Sequence, residues 1–210
     1  MATFRDRYQA GSQLADSLSH LRGASDVWVV ALPRGGVPVA SEVAAALGAP
    51  LDVLVVRKLG APGHEELAVG AIASGGVRIV NEELVRYLGI DAAELDRIAE
   101  RETHELRRRE ALYRDQRAAL DVAGRTVVLV DDGVATGATM LVAVEALKEL
   151  GAKRLVVAVP VGAPDSMARL REAADEVVCL LAPPELTSVG QWYDDFSQTS
   201  DAEVRSLLQD

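Results

Sequence analysis

The sequence predicts an α/β fold: a doubly wound, mainly parallel sheet flanked by helices on both faces. Three observations predict it. Short apolar, β-branched runs at 27–32, 51–56, 125–130, 154–161 and 176–181 read as buried strands of a parallel sheet. Stretches of helical period separate most of them, which is the strand–helix alternation of that class. Glycine or proline closes several segments, as at Gly48, Pro50 and Gly151.

Taken in order, Phe4, Tyr8, Leu14, Leu18 and Leu21 recur at mostly helical spacing and predict an amphipathic helix over 4–22. VWVVAL at 27–32 is the first strand. Pro33-Arg34-Gly35-Gly36 follows and opens a helix to Leu47. LDVLVV at 51–56 is a second buried strand, closed by Arg57-Lys58. Residues 59–68 carry glycine, proline and charge without a period, so a mobile loop is expected. Residues 69–80 read as a short strand pair around Ser74-Gly75-Gly76. From Glu82 to about Leu120 the chain is charged and helical, with Leu84, Leu88, Leu95, Ile98, Leu106 and Leu112 as its apolar stripe and a break at Gly89-Ile90-Asp91. Its Arg107-Arg108-Arg109 run would serve as an anion patch or as a solvated helix face; the surrounding acids favour the solvated face. RTVVLV at 125–130 is the third strong strand, followed by DDGVATGAT and a helix to Leu150. RLVVAVPV at 154–161, a short helix at 164–173 and EVVCLL at 176–181 come next. The tail, 182–210, holds an aromatic cluster and a last helix. With no internal repeat or linker, residues 1–210 are expected to form one domain.

Composition narrows the function. The chain has 210 residues, long enough for a sizeable core, and its 49% hydrophobic content excludes disorder. One cysteine excludes a disulfide framework and a Cys-rich zinc module. No apolar run reaches the ~18 residues of a membrane span, and the first residues lack the apolar stretch of a signal peptide, so a cytoplasmic protein is expected. The net charge of −10 argues against nucleic acid and anionic membranes as partners. Aromatics are only 4% of the chain, yet Trp192, Tyr193 and Phe196 fall within one short polar segment.

The segment carrying most information runs from Val127 to Thr139. An apolar strand delivers Asp131 and Asp132 at its carboxyl end, and small residues then turn into a helix. In an open parallel sheet that edge binds ligands. Small residues let backbone amides close round an anion, and the helix N-terminus adds partial positive charge. Two adjacent acids beside such a cradle make sense if the ligand also presents hydroxyls or brings a divalent cation.

This segment resembles the PRPP-binding motif of type I phosphoribosyltransferases. The resemblance implies that Asp131 and Asp132 meet the ribose hydroxyls, and that Ala135, Thr136, Gly137, Ala138 and Thr139 hold the 5′-phosphate. Arg34, Gly35 and Gly36 match the family's pyrophosphate loop, which implies a cis peptide near Arg34-Gly35. Arg57 and Lys58, followed by 59–68, match the place where a flexible loop closes over PRPP and its pyrophosphate. LPRGG, VRKLGAPG, VDDGVATGAT and VGQWYDDF are also shared by a group of bacterial proteins with this domain. The resemblance covers about 27–196 and implies a small hood, at about 182–210, and makes about 82–120 a helical insertion: a dimer interface or an enlarged hood.

The implied reaction is displacement of pyrophosphate from C1 of PRPP by a nitrogenous base, purine-like or pyrimidine, with Mg²⁺ bound mainly through PRPP and also by Asp131 and Asp132. Hypoxanthine–guanine enzymes of the family carry an acid in the phosphate loop where this chain has Ala135. Adenine enzymes are closer, with DD-x-x-A-T-G-x-T, and use a loop glutamate; Glu65 and Glu66 lie in that region, where a solvated loop acid is the alternative. Trp192 and Tyr193 are candidates for stacking on the base, Phe196 for the core, although all three rings would equally serve to pin the tail to the sheet. A homodimer is expected. The competing function is a PRPP- or nucleotide-binding regulator without catalysis. No GxGxxG follows the first strand and no GxxxxGK[ST] occurs, which excludes a dinucleotide enzyme and a P-loop NTPase.

Overall fold

The computed structural model describes residues 3–114 and 119–209. Five strands form a parallel sheet in the order β2-β1-β6-β7-β8: β1 is Val27–Ala31, β2 Leu51–Val53, β6 Thr126–Val130, β7 Arg154–Val161 and β8 Glu176–Leu181. Alternation along each strand splits the core. Val29, Ala31, Val128, Val130, Val156 and Ala158 face α1 (Arg7–Ser17) and α2 (Gly36–Leu47). Val30, Leu129, Leu155 and Val157 face α5 (Ala138–Glu149) and α6 (Pro164–Ala173). Both faces are covered, so the strands read as continuous apolar runs. The expected doubly wound, mainly parallel sheet is present.

Two expectations fail in the segment after β2. The run 51–56 is two strands, not one. β2 ends at Val53, and the chain turns through Leu54 and Val55 into β3 (Val56–Ala61), which leaves the parallel sheet. The expected loop at 59–68 is a hairpin: β3 pairs antiparallel with β4 (His64–Ala73) across Pro62-Gly63. β5 (Val77–Val80) then pairs with β4, as the expected strand pair around 74–76 requires. This three-stranded sheet is stabilised from outside. Its Ala73 and Val77 join the core beneath α5, while Leu59, Ala61, Val69 and Ile72 join the cluster that contains α4 (Ala92–Arg114).

The charged segment forms α3 (Glu82–Leu88) and α4, broken at Gly89 as expected. Residues 119–122 are not helical, and 115–118 lie outside the described residues. Leu95, Ile98 and Leu106 of the expected stripe are buried, whereas Leu88 is exposed. Arg114 binds Asp52 at 3.0 Å and donates to the Val53 carbonyl at 2.9 Å, which ties α4 to β2. α7 (Asp201–Gln209) packs on α4 and α2. No helix among the described residues is long and apolar enough to cross a membrane.

Candidate functional site

The site is built where β1 and β6 end side by side. Ala31 pairs with Val130, and the Leu32 amide donates to the Val130 carbonyl at 2.9 Å. Both strands therefore release their loops at one point on the carboxyl edge of the sheet, where ligands of such sheets bind. β1 releases Pro33-Arg34-Gly35-Gly36; β6 releases Asp131 and Asp132.

The two loops touch. A Cβ on Gly35 would overlap the Asp132 carboxylate, and one on Gly36 would lie 2.8 Å from the Val130 carbonyl oxygen and 2.9 Å from the Asp131 Cα. Only glycine admits this approach of backbone to acid. The cis peptide is Pro33–Arg34, one bond before the expected Arg34–Gly35. Gly35 precedes α2 with no side-chain cap; the first amides of that helix are met by backbone instead, Gly36 donating to the Leu32 carbonyl and Val37 to the Arg34 carbonyl, both at 3.1 Å.

Asp131 accepts the Asp132 amide at 2.9 Å. Burial, then the Asp132 charge, pushes its carboxyl well above the usual range. Asp132 is also raised by burial, but the Arg7 guanidinium opposes the shift. Arg7 Nε donates to Asp132 Oδ2 at 2.8 Å, Arg7 Nη1 to the Ser197 carbonyl at 2.7 Å, and the guanidinium lies 3.9 Å over the Phe196 ring. The Tyr193 hydroxyl donates to the Asp132 carbonyl at 2.6 Å. The acid pair is thus held from α1 and from the tail.

After the acids, Gly137 adopts φ +77° and leads into α5, again with no side-chain cap. Ala135 and Thr136 are exposed, and their carbonyls are held by the Ser166 hydroxyl at 2.7 Å and by Arg169 at 2.5 Å. With the carbonyls turned toward α6, residues Ala135 to Thr139 present an open helix start and two threonine hydroxyls.

A model of the phosphoribosyl transferase domain matches residues 5–189. The chain belongs to the type I phosphoribosyltransferase family. A protein of Mycobacterium tuberculosis H37Rv, provisionally named a phosphoribosyl transferase, is 50% identical over 208 residues, 99% of this chain. The chain spans about half of that relative, 47% of its length. The crystal structure of TT1426 from Thermus thermophilus superposes with a TM-score of 0.87 at 46% identity, covering 99% of this chain and 98% of that one. A ribose-phosphate pyrophosphokinase of Pyrococcus furiosus is 43% identical over 60 residues, 28% of this chain and 22% of its own length.

Other residues suggested by the family resemblance are placed differently from one another. Arg34 lines a cavity together with residues of α4 and α7, its Nη1 3.8 Å from Asp201. Arg57 is engaged: its Nε and Nη2 donate to Glu102 Oε2 of α4 at 3.0 and 2.6 Å. Lys58 is exposed on β3. Glu65 is exposed at the hairpin end, and the Glu66 side chain lies outside the described residues. Among the described residues no group of three metal-ligating side chains occurs.

The aromatic assignment is reversed in part. Tyr193, expected as a stacking candidate, is buried between Phe4 and Phe196, with ring centroids 5.4 and 5.0 Å away. Its faces are taken by those rings. Phe196, expected as core, is 37% exposed, because its ring covers the Arg7 guanidinium instead. Trp192 is half-buried, and its Nε1–H has no acceptor among the described residues. Val189, in the same turn, packs so close to Gly133 that a Cβ there would meet it at 2.5 Å. The tail therefore covers the start of the turn that leads into α5. Sequence reasoning misses Arg7 because nothing local marks it: its partner is 125 residues away.

Proposed function

We propose that this chain is an Mg²⁺-dependent phosphoribosyltransferase, in which a nitrogenous base displaces pyrophosphate from C1 of PRPP. The observation that carries the reading is the packing of the Gly35 backbone on the Asp132 carboxylate. It puts an anion-accepting turn and two hydroxyl-accepting acids at one spot. The short likeness to a ribose-phosphate pyrophosphokinase supports a ribose phosphate as ligand.

Each part has a task. Asp131 and Asp132 accept the ribose 2′- and 3′-hydroxyls, which offsets the burial that now opposes their charge. The open turn from Ala135 to Thr139 takes the 5′-phosphate through amides and the Thr136 and Thr139 hydroxyls. The Arg34-Gly35-Gly36 turn, which its glycines leave open to close approach, receives the diphosphate, which leaves as the C1–O bond breaks and the bond from C1 to nitrogen forms. The β3–β4 hairpin, with Lys58 and Glu65, closes the site against water. Trp192, which is only half-buried, stacks on the base.

The donor set fits a magnesium ion bound mainly through diphosphate oxygens, with Asp131 or Asp132 completing the shell, because two carboxylates alone do not make a protein-held site. When bound, Mg²⁺ neutralises charge developing on the leaving group.

The test has two arms. With PRPP and Mg²⁺, a panel of purine and pyrimidine bases is screened for pyrophosphate release; at least one base is expected to release it. In calorimetry, Asp131→Asn with Asp132→Asn abolishes PRPP binding while the far-ultraviolet spectrum is kept. Unchanged PRPP affinity in that variant would sink the site assignment. Tight PRPP binding with no release for any base would make the chain a binding protein rather than an enzyme.

A further inference from the structure

A cavity of about 210 Å³ lies between the Pro33–Gly36 loop, α4 and α7, lined by Arg34, Arg108, Arg109, Leu112, Tyr113 and Asp201. Three guanidinium groups meet there although the whole chain carries a net charge of −10. Their partners are few. Glu105, on α4, accepts Arg108 Nε and Nη2 at 2.7 and 2.9 Å and Arg109 Nε at 3.0 Å. Asp201 accepts the Tyr113 hydroxyl at 2.8 Å and lies 3.8 Å from Arg34 Nη1, beyond hydrogen-bond reach. Three cations thus share two carboxylates. Among the described residues, the Arg34 guanidinium and the Nη groups of Arg109 have no hydrogen-bond acceptor.

The unmet donors are planar forks, which match oxyanions bearing several acceptor oxygens. The volume lies below the roughly 300–1,000 Å³ of pockets that enclose a whole drug-sized ligand, so one phosphate or diphosphate group is the fitting size. The cavity is separate from the acid pair: Asp131 and Asp132 do not line it, and the cation acting on both is Arg7.

We propose that Arg34, Arg108 and Arg109 form a second oxyanion pocket, beside the ribose acids, that takes a phosphate or diphosphate group. The arginine run of α4, read from sequence as a solvated face, supplies two of its three cations. An incoming group replaces Asp201 as the acceptor nearest Arg34. The group belongs to a molecule other than PRPP, whose diphosphate the function proposed above already places at the Gly35–Gly36 backbone.

Calorimetry with inorganic phosphate and inorganic diphosphate tests the pocket without reference to catalysis. The wild-type chain is expected to bind at least one of them. Arg108→Ala with Arg109→Ala weakens that binding by about tenfold or more, the scale of a lost charge-assisted pair. Arg108→Gln with Arg109→Gln, which keeps side-chain length, gives the same loss. Asp131→Asn with Asp132→Asn retains the binding, so failure of the PRPP reading and failure of this one are told apart. PRPP titrations show whether the pocket is separate from the PRPP site. A matching loss of PRPP affinity in the double alanine variant overturns the proposal, because the arginines then serve the diphosphate of PRPP. Unchanged PRPP affinity, with phosphate still binding to PRPP-saturated protein, assigns it to a second ligand. Equal anion binding by wild-type and double-alanine chains overturns the proposal, as does no binding of either anion to the wild type.

Discussion

Asp131 and Asp132 stand next to each other at the end of β6, yet only one of them is hydrogen-bonded to a cation. Arg7 binds Asp132 at 2.8 Å, while Asp131 has the backbone amide of its neighbour. The difference has a measurable sign. Burial and the Asp132 charge raise the folded-state value of Asp131 above the ordinary 3.8. Between the unfolded and the folded value, the folded chain therefore holds a proton that the unfolded chain has released. That contribution to stability is complete below the unfolded value and is lost as the pH rises through the folded one. Asp131→Asn has no charge to bury. It is expected to be more stable than the wild type at pH 7, with the gap closing as the pH falls through the folded value toward the ordinary carboxylate range. Asp132→Asn leaves Arg7 beside a neutral amide and is expected to destabilise. Urea titrations of both variants from pH 4 to 8 check the pair; two variants that shift alike would contradict it. The acids themselves were legible in sequence, because an apolar strand ending in two carboxylates is a local pattern. Their unequal environment was not, because it is set by a residue from α1.

The elements divide in the same way. Strands covered on both faces announce themselves as apolar runs, and β1, β6, β7 and β8 lie within a residue of their expected bounds. The β3–β4 hairpin does not. Gly60, Pro62, Gly63 and Glu65 are poor strand formers, and what holds the hairpin is tertiary: α4, α5 and the Arg57–Glu102 pair. Nor does an apolar run say which sheet it joins, which is why 51–56 reads as one strand. Glu102→Ala leaves Arg57 without its carboxylate partner and is expected to raise amide exchange in Val56–Ala61 while β6, in the middle of the parallel sheet, stays protected. Exchange mass spectrometry resolves the two segments. Unchanged protection in β3 would show that the ion pair does not hold the hairpin.

At the scale of the whole molecule, strand order is what sequence order conceals: β6 lies beside β1 although four strands and helices α2 to α4 intervene in the chain. The same folding brings Phe4 against Tyr193, where the Thr3 and Phe4 amides donate to the Trp192 carbonyl at 3.1 and 3.0 Å. Tyr193→Ala removes a buried ring and the hydroxyl on Asp132, and is expected to cost about 3–5 kcal/mol. Combined with Phe4→Ala, it is expected to cost less than the sum of the two single changes, by about 1 kcal/mol, because the rings share one contact. Denaturant unfolding of the four chains of that cycle measures the coupling, and strict additivity would mean that the segments fold independently.

The hydrogen bond from Arg7 to Ser197 spans 190 residues. A chain emerging from the ribosome folds its earlier segments first, so β1, α2 and β6 are free to pair while residue 197 is still being synthesised. Throughout that interval Arg7 lacks the Ser197 carbonyl and the Phe196 ring that fix its guanidinium beside Asp132. The acid pair is thus among the last parts of the molecule to be finished: its arginine is fixed only after every strand of the parallel sheet has been made.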